Sequence, residues 1–382
     1  MQREIFESEH DQFRETVQEF LTRYAVPNKD RWAAEGIVDR SIYTDAAKFG
    51  LIGFSVPEKF GGAGVSDDFR YNAIVGEELM SLDSGGPGLT LQNDIIAPYL
   101  LELTNDEQKQ RWLPPFARGE LIVAVAMTEP GAGSDLQGLK THAHRDGDDW
   151  VLNGAKTFIS SGINADMVIV VARTDPNAKA SAAFTLLAVE RDMPGFTRGR
   201  KLEKLGLKSQ DTAELNFEDV RVPATNVIGE VGRGFIHLMH NLPMERLSIA
   251  IGAVASCRRV LDYTLTYVKD RKAFGTPIGS FQANRFTLAE LETEVDIART
   301  YVDRCIMLLN EGRLDATDAA KAKWWTTELQ QRLIYQCQQL HGGYGYMTEY
   351  PVARAFVDAR ISTIFGGSTQ IMKEIIGRSL GR

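Results

Sequence analysis

The chain has 382 residues, and 43 Lys and Arg against 51 Asp and Glu give it a net charge of −8 at pH 7. Its hydrophobic fraction of 43% and charged fraction of 25% are those of a globular protein, and at roughly 150 residues per domain the length allows two or three domains. The acidic balance argues against nucleic acid as the main partner, and no apolar run approaches the about 20 residues of a membrane span. The three cysteines are scattered, which excludes a disulfide framework.

The first third of the chain is expected to be helical. Phe13, Val17, Phe20 and Tyr24 recur at helical spacing until Pro27, so they predict one apolar helix face. The predicted helices cover 2–26, 41–50, 70–82 and 91–104.

The spacing of apolar residues then changes from a helical repeat to short apolar runs, with no predicted helices between them. Asp146-Gly147 separates two of these runs and predicts a hairpin turn. Such a succession is typical of an antiparallel sheet, and the predicted strands cover 121–126, 141–145, 150–152, 167–172, 183–189 and 214–217.

A helical period returns after 229–234. The seam of Leu288, Leu291, Val295, Ala298, Val302, Cys305 and Leu309 alternates steps of three and four, which is typical of a helix packed in a bundle. A second seam follows over 322–340. We therefore predict three domains, at 1–119, 120–230 and 231–382.

Familiar catalytic motifs are missing from the sequence. Its six histidines show no metal-ligand spacing, so no metal is predicted. Gly131 and Gly133 resemble part of a dinucleotide fingerprint, but no third glycine and no following helix complete it. The loop 127–135 follows an apolar strand, and its glycines would let the backbone approach a flat ligand. A plain tight turn remains the alternative for this loop.

The order of several motifs decides the interpretation. The chain resembles the acyl-CoA dehydrogenase family nearly end to end, and it is most similar to the long-chain subgroup. The motifs that carry the resemblance lie at 127–135, 156–160, 204–223, 242–247, 270–275, 339–345 and 365–375. The resemblance implies an N-terminal helical domain, a middle antiparallel β-domain and a C-terminal four-helix bundle. It also implies FAD as cofactor, oxidation of a fatty acyl-CoA to the trans-2-enoyl-CoA, electron-transferring flavoprotein as acceptor, and a homotetramer.

The resemblance further implies which residues bind FAD. Thr128 and backbone N–H groups of its loop are expected at the polar edge of the flavin, Phe158 and Ser160 on the face away from substrate, and Arg271 at the pyrophosphate. For each polar residue alone, a capping or surface role stays open. The full expected set is Met127, Thr128, Gly133, Ser134, Phe158, Ser160, Arg271, Phe274, Gln282, Gln339, Gly342, Gly343, Ser368 and Gln370.

The expected catalytic base departs from the commonest family pattern. The base usually precedes Gly-Ser or Gly-Thr in the C-terminal loop, but that position is Gly366 here. In the long-chain and isovaleryl subgroups a helix carries the base directly before an arginine, and Glu245-Arg246 fits that placement. Ser134, Arg246, Gly366 and Gly367 are expected to contact substrate. The alternatives are a solvated glutamate at 245 and a surface ion pair for Arg246.

Substrate preference stays open between two kinds of acyl chain. The segment 84–88 contains Gly-Pro-Gly, as in the long-chain type, where it precedes the helix at the floor of the acyl pocket. A short branched-chain, isovaleryl-like enzyme is the nearest rival. A non-catalytic flavin-binding scaffold is less favoured because Glu245 is kept, and an oxidase-like enzyme is disfavoured by the chain length. Because the sequence begins with an acidic, polar stretch, we expect a cytoplasmic, bacterial-type protein. A mature organellar form, which would have the same features, is the alternative.

Overall fold

The computed structural model describes residues 3–82 and 85–381. Its order of elements is helical, then stranded, then helical, which confirms the predicted fold class. The boundaries at 119/120 and 230/231 stay predictions. No helix among the described residues is long and apolar enough to cross a membrane.

The N-terminal region is built from helices around an aromatic core. Local hydrogen bonds set their ends; at α6, for example, Asn105 and Gln108 cap each other's backbone N–H groups. The helices are α1 Ser8–Phe20, α2 Lys29–Glu35, α3 Ser41–Lys48, α4 Arg70–Leu79, α5 Ala97–Glu102 and α6 Asp106–Ala117. A π-helical turn, Leu91–Ile96, runs directly into α5.

The middle region is one eight-stranded sheet, with the order β6-β7-β3-β2-β4-β5-β8 and β1 paired to β4. Most neighbours are antiparallel, including the predicted hairpin of β2 and β3. The strands are β1 Val123–Ala126, β2 His142–Asp146, β3 Asp149–Ser160, β4 Met167–Arg173, β5 Phe184–Glu190, β6 Phe196–Lys201, β7 Thr212–Pro223 and β8 Val227–Ile228. A four-residue helix, α7 Ala180–Ala183, precedes β5.

The C-terminal region is a bundle of long helices. The predicted seam from Leu288 to Cys305 is buried against the neighbouring helices, as its spacing requires, and its last member, Leu309, is partly buried. The helices are α8 Gly234–Asp270, α9 Gln282–Asn310, α10 Ala316–His341, α11 Pro351–Ala359 and α12 Thr369–Leu380. A two-stranded ribbon, β9 Lys272–Ala273 and β10 Thr276–Pro277, connects α8 to α9.

Three local expectations differ from the structure. Helix α1 begins at Ser8, because the Glu7 backbone is extended and its N–H donates to Nδ1 of His10. Pro27 does not end the helical path; it lies in a short 3₁₀ turn and α2 begins at Lys29, since a proline is tolerated in a first helical turn. The sheet also includes a parallel pairing of β1 with β4 and the polar edge strand β6, neither of which was expected.

Candidate active site

A cavity of about 300 Å³ lies along one face of α8. The α8 residues that line it are spaced by three and four, so they form a single stripe of the helix. From Glu245 to Tyr263 this stripe extends ~27 Å at the 1.5 Å rise of an α-helix. Its members are Glu245, Ser248, Ile249, Gly252, Ala253, Ser256, Arg259, Val260 and Tyr263.

The rest of the cavity wall is mostly apolar. Leu79 and Met80 come from the end of α4, and Leu91 and Ile95 come from the π-helical turn. The loop 85–88 also lines the cavity, whereas Ser84 lies outside the described residues. A Cβ added at Gly252 would reach the Met80 sulfur at 3.8 Å, so a larger side chain there would fill the cavity.

Glu245 lies in the cavity wall and not in bulk water. Its side chain is 5% exposed, and the buried Tyr99 hydroxyl donates to its Oε1 at 3.4 Å. Burial raises the pKa of Glu245 to about 7, against the opposing effects of Tyr99 and Arg246. The solvated-glutamate alternative is therefore wrong.

A second buried carboxyl, Asp94, bonds to Ser248, which lies one helical turn beyond Glu245 on α8. Asp94 accepts from Nδ2 of Asn72 at 2.8 Å and bonds to the Ser248 hydroxyl. Burial raises the pKa of Asp94 to about 7. Asp94 and Tyr99 are five residues apart, so in an α-helix their side chains would point about 140° apart around the helix axis. The π-helical turn before α5 has hydrogen bonds between residues i and i+5, and this repeat lets both side chains face α8.

Position 366 offers no side chain and little room for one. Gly366 has φ +62°, and a Cβ there would lie 2.5 Å from Cδ1 of Ile249. Nε of the buried Arg246 donates to the Gly366 carbonyl at 3.4 Å, and the buried Lys323 donates to the Gly367 carbonyl. Arg246 pairs with no carboxylate among the described residues, so its surface ion-pair alternative is wrong.

Three hydrogen bonds from two residues of β3 hold the loop 127–135. Nζ of Lys156 donates to Oε1 of Glu129 at 2.9 Å and to the Met127 carbonyl at 3.0 Å. The Thr157 N–H donates to the Thr128 carbonyl at 2.9 Å. Within the described part of the chain, the Thr128 hydroxyl and N–H donate to no other residue.

The end of β3 presents an aromatic ring to the outside. Phe158 sits at an irregularity in the pairing of β3 with β7, has φ +60° and is 67% exposed. Such a conformation is uncommon for a bulky residue and points to a functional constraint. Ser160, two residues on, lines the cavity.

Most of the remaining predicted cofactor residues are exposed, and two of them lie at the β9–β10 ribbon. Phe274 has φ +52° and is 97% exposed, and the Arg271 guanidinium lies 5.6 Å from the ring centre of Tyr344. The Ser368 hydroxyl accepts from the Ile371 N–H at 3.4 Å and caps α12. Also exposed are Gly133, Ser134, Gln282, Gln339, Gly342, Gly343 and Gln370.

The structure thus divides the predicted site residues. Glu245 and Ser160 line the cavity. Arg246, Gly366 and Gly367 lie together beside it without lining it, and Ser134 is exposed. Sequence reasoning missed Tyr99, Asp94 and Lys323, because a tyrosine in an apolar helix and charged residues in helices carry no distinguishing pattern.

Comparisons with known proteins define the class of this chain. The acyl-CoA dehydrogenase N-terminal, middle and C-terminal domain families match residues 7–120, 124–220 and 232–381. The chain belongs to the acyl-CoA dehydrogenase family, whose members are flavoprotein oxidoreductases of fatty acid β-oxidation.

Individual relatives include enzymes of different chain length. The long-chain specific acyl-CoA dehydrogenase of Mus musculus is 47% identical over 99% of this chain and 88% of its own length. The isovaleryl-CoA dehydrogenase of Solanum tuberosum is 36% identical over 98% of this chain and 91% of its own. A solved acyl-CoA dehydrogenase from Geobacillus kaustophilus is 46% identical with a TM-score of 0.96, covering 99% of both chains.

Members of this family bind FAD, and the residues present fit that cofactor. A Cβ added at Gly131 or Gly133 would meet nothing within 4 Å, so the loop is open to a ligand. Thr128 offers unused donors beside it, and Phe158 and Phe274 offer exposed rings. Arg271 forms no ion pair with a described carboxylate, which leaves its fork of donors for a phosphate.

Proposed function

We propose that this enzyme removes hydrogen across Cα–Cβ of a long fatty acyl-CoA, with Glu245 as the catalytic base. The observation that carries the proposal is a buried carboxyl in the wall of an apolar cavity, beside a glycine at position 366. A pKa raised to about 7 makes this carboxylate a stronger base than an exposed one.

The residues of this chain divide the work as follows. The Glu245 carboxylate takes the α-proton, and the electron pair of the C–H bond moves toward the thioester oxygen. The Gly366 N–H, which a glycine retains, is a donor for that oxygen. Arg246 holds the Gly366 carbonyl and orients the loop. When bound, FAD supplies the acceptor for the β-hydride.

The base is tested by Glu245→Gln, which keeps the shape but cannot take a proton. We expect flavin reduction by acyl-CoA to slow by roughly 10²- to 10⁴-fold, while FAD stays bound. Stopped-flow absorbance of the flavin measures this. The control is Glu102→Gln, an exposed change near His240, for which the rate stays at the wild-type value. Full-rate reduction in Glu245→Gln would place the base elsewhere.

A long straight chain is the proposed substrate because the cavity, whose walls are mostly apolar, continues along α8 from Glu245 to Tyr263. Flavin reduction by butyryl-, octanoyl-, palmitoyl- and isovaleryl-CoA measures the preference. The highest kcat/KM is expected for palmitoyl-CoA. A preference for isovaleryl-CoA would favour the branched-chain alternative, and no reduction by any of them would favour the scaffold alternative.

The proposed partners are an electron-transferring flavoprotein and further copies of this chain in a homotetramer. The exposed apolar side chains support association; they include Phe274, Tyr346 and Leu380. Light scattering of the FAD-loaded protein measures the assembly, and a monomer would contradict it. Electron transfer to the other proposed partner is measured as the reduction of an added electron-transferring flavoprotein in the presence of acyl-CoA.

A further inference from the structure

Lys323 is a buried cation without an acidic partner. Its side chain is 0% exposed on α10, and it forms no ion pair with a carboxylate among the described residues. Lysines are almost never fully buried unless they are paired, because transferring an ammonium out of water is costly. Among the described residues, the Gly367 carbonyl is the only group to which this ammonium donates, so the buried charge contacts the loop that follows Phe365.

Arg246 brings a second cation to the same loop from the opposite helix. Its Nε donates to the Gly366 carbonyl at 3.4 Å, and its Nη2 lies 3.8 Å from where a Gly367 Cβ would be. Cε of Lys323 lies 3.8 Å from the corresponding point on Gly366. Two cations from α8 and α10 therefore converge on two consecutive peptide groups.

The groups nearest the loop carry more positive than negative charge. With Glu245 ionised, the group of Glu245, Arg246 and Lys323 carries one net positive charge in a buried setting, which Glu328 partly offsets from beyond salt-bridge distance. A low effective dielectric strengthens the attraction of such a group for a further negative charge. Transfer of the α-proton to Glu245 neutralises the carboxylate and places negative charge on the thioester oxygen, so this step is the one that the unbalanced charge favours.

We propose that Lys323 is a positioning residue for removal of the α-proton. Through the Gly367 carbonyl it fixes the loop that carries the Gly366 N–H, and its charge favours the electron pair that moves to the thioester oxygen when Glu245 takes the proton. This inference rests on the proposed function. It goes beyond it because Lys323 lies on a different helix from the base and does not line the cavity.

The test isolates proton removal from hydride transfer. The probe is an acyl-CoA in which sulfur replaces the β-carbon, so the α-proton can leave but no hydride can. The FAD-loaded enzyme is incubated with it in D2O, and mass spectrometry measures deuterium entering the α-position. Flavin absorbance titration gives the Kd of the probe.

Two substitutions separate the contributions of the side chain. Lys323→Met removes both charge and hydrogen bond, and we expect exchange to slow by roughly 10²- to 10³-fold, as for loss of an oxyanion donor. Lys323→Gln keeps a donor without the charge, and exchange is expected to fall between the Met variant and wild type. The Kd of the probe stays within threefold. Lys321→Met, an exposed change on the same helix, is the control and exchanges at the wild-type rate.

The outcomes distinguish this proposal from the proposed function. Wild-type exchange in folded, FAD-loaded Lys323→Met would overturn it and leave Lys323 a purely structural role. If Lys323→Met does not fold, Lys323→Gln provides the test. Slower deuterium exchange with an unchanged Kd of the probe supports the proposal, and exchange at the wild-type rate overturns it. Failure of the proposed function appears instead as exchange that persists in Glu245→Gln.

Discussion

The two sides of the site are built in different ways. On the acyl side, Glu245, Asp94 and Lys323 are buried within one chain, and each is hydrogen-bonded to another part of it. On the proposed cofactor side, Phe158 and Phe274 stand exposed. The acyl side is therefore complete in one chain, whereas the cofactor side needs a ligand, and by our proposal a second copy, to cover it. Changes on the two sides should thus affect different measurements.

Among the changes that compare the two sides, removing the cation on the cofactor side has the largest expected effect. Arg271→Ala loses charge-assisted hydrogen bonds to a phosphate, which contribute about 1.5–3 kcal/mol. We expect FAD to bind about 10- to 150-fold more weakly, while the refolded, FAD-saturated enzyme still reacts with acyl-CoA. Isothermal titration of the apoprotein with FAD measures this. Lys269→Ala, on the preceding turn, is the control; unchanged FAD affinity in Arg271→Ala would break the comparison.

Filling the acyl side should change chain length and not cofactor binding. Gly252→Leu places a side chain against Met80 in the cavity, and overpacking costs about 1–3 kcal/mol. We expect kcat/KM for palmitoyl-CoA to fall about 5- to 150-fold and that for butyryl-CoA to stay within twofold. Gly252→Ala is the matched control, because a Cβ alone makes ordinary contact there. An equal loss for both substrates would show that the stripe does not hold the distal chain.

A smaller effect is expected from the phenol beside the base. Tyr99→Phe removes a donor that lowers the pKa of Glu245, so that pKa should rise from about 7. Since the base acts when ionised, the acidic limb of kcat/KM against pH should move upward by less than one unit. Tyr71→Phe, whose ring lies outside the cavity, is the control. A limb that does not move would show that the phenol has no influence on the base.

The last effect concerns stability and not activity. Because the folded pKa of Asp94 is raised to about 7 from 3.8, its stabilising contribution is full below pH 3.8 and is lost as pH rises through about 7. Asn can donate to Ser248 and accept from Asn72 as the protonated acid does. We expect Asp94→Asn to match wild type in melting temperature near pH 4 and to exceed it by a few degrees at pH 8. A difference independent of pH would contradict this.

Of the buried polar groups on the acyl side, the sequence predicted Glu245 but not Tyr99, Asp94 or Lys323. Position 366 lacks the usual carboxylate, and the resemblance to the long-chain and isovaleryl subgroups pointed to Glu245 as the base instead. Tyr99 and Asp94 could not be predicted, since their orientation toward α8 depends on a π-helical turn that the apolar pattern of 91–104 does not reveal. Lys323 looks like an ordinary surface lysine, and only packing shows that it is enclosed.

The fold was predicted at the level of its succession of elements. Periodicity gave the helices and the hairpin, but the parallel pairing of β1 with β4 depends on strands about 40 residues apart. Edge strand β6 was missed because its residues Phe196–Lys201 are mostly polar, as edge strands often are.

The Cδ1 methyl of Ile249 next to Gly366 has a consequence for redesign. A carboxylate grafted at 366 would meet that methyl and would also have to adopt φ +62°, which costs an L-residue roughly 1–2 kcal/mol. Relocating the proton acceptor to the loop therefore requires a paired exchange, with a smaller side chain at 249 introduced first. A single substitution therefore cannot move the acid from α8 to the loop, because positions 249 and 366 must change together.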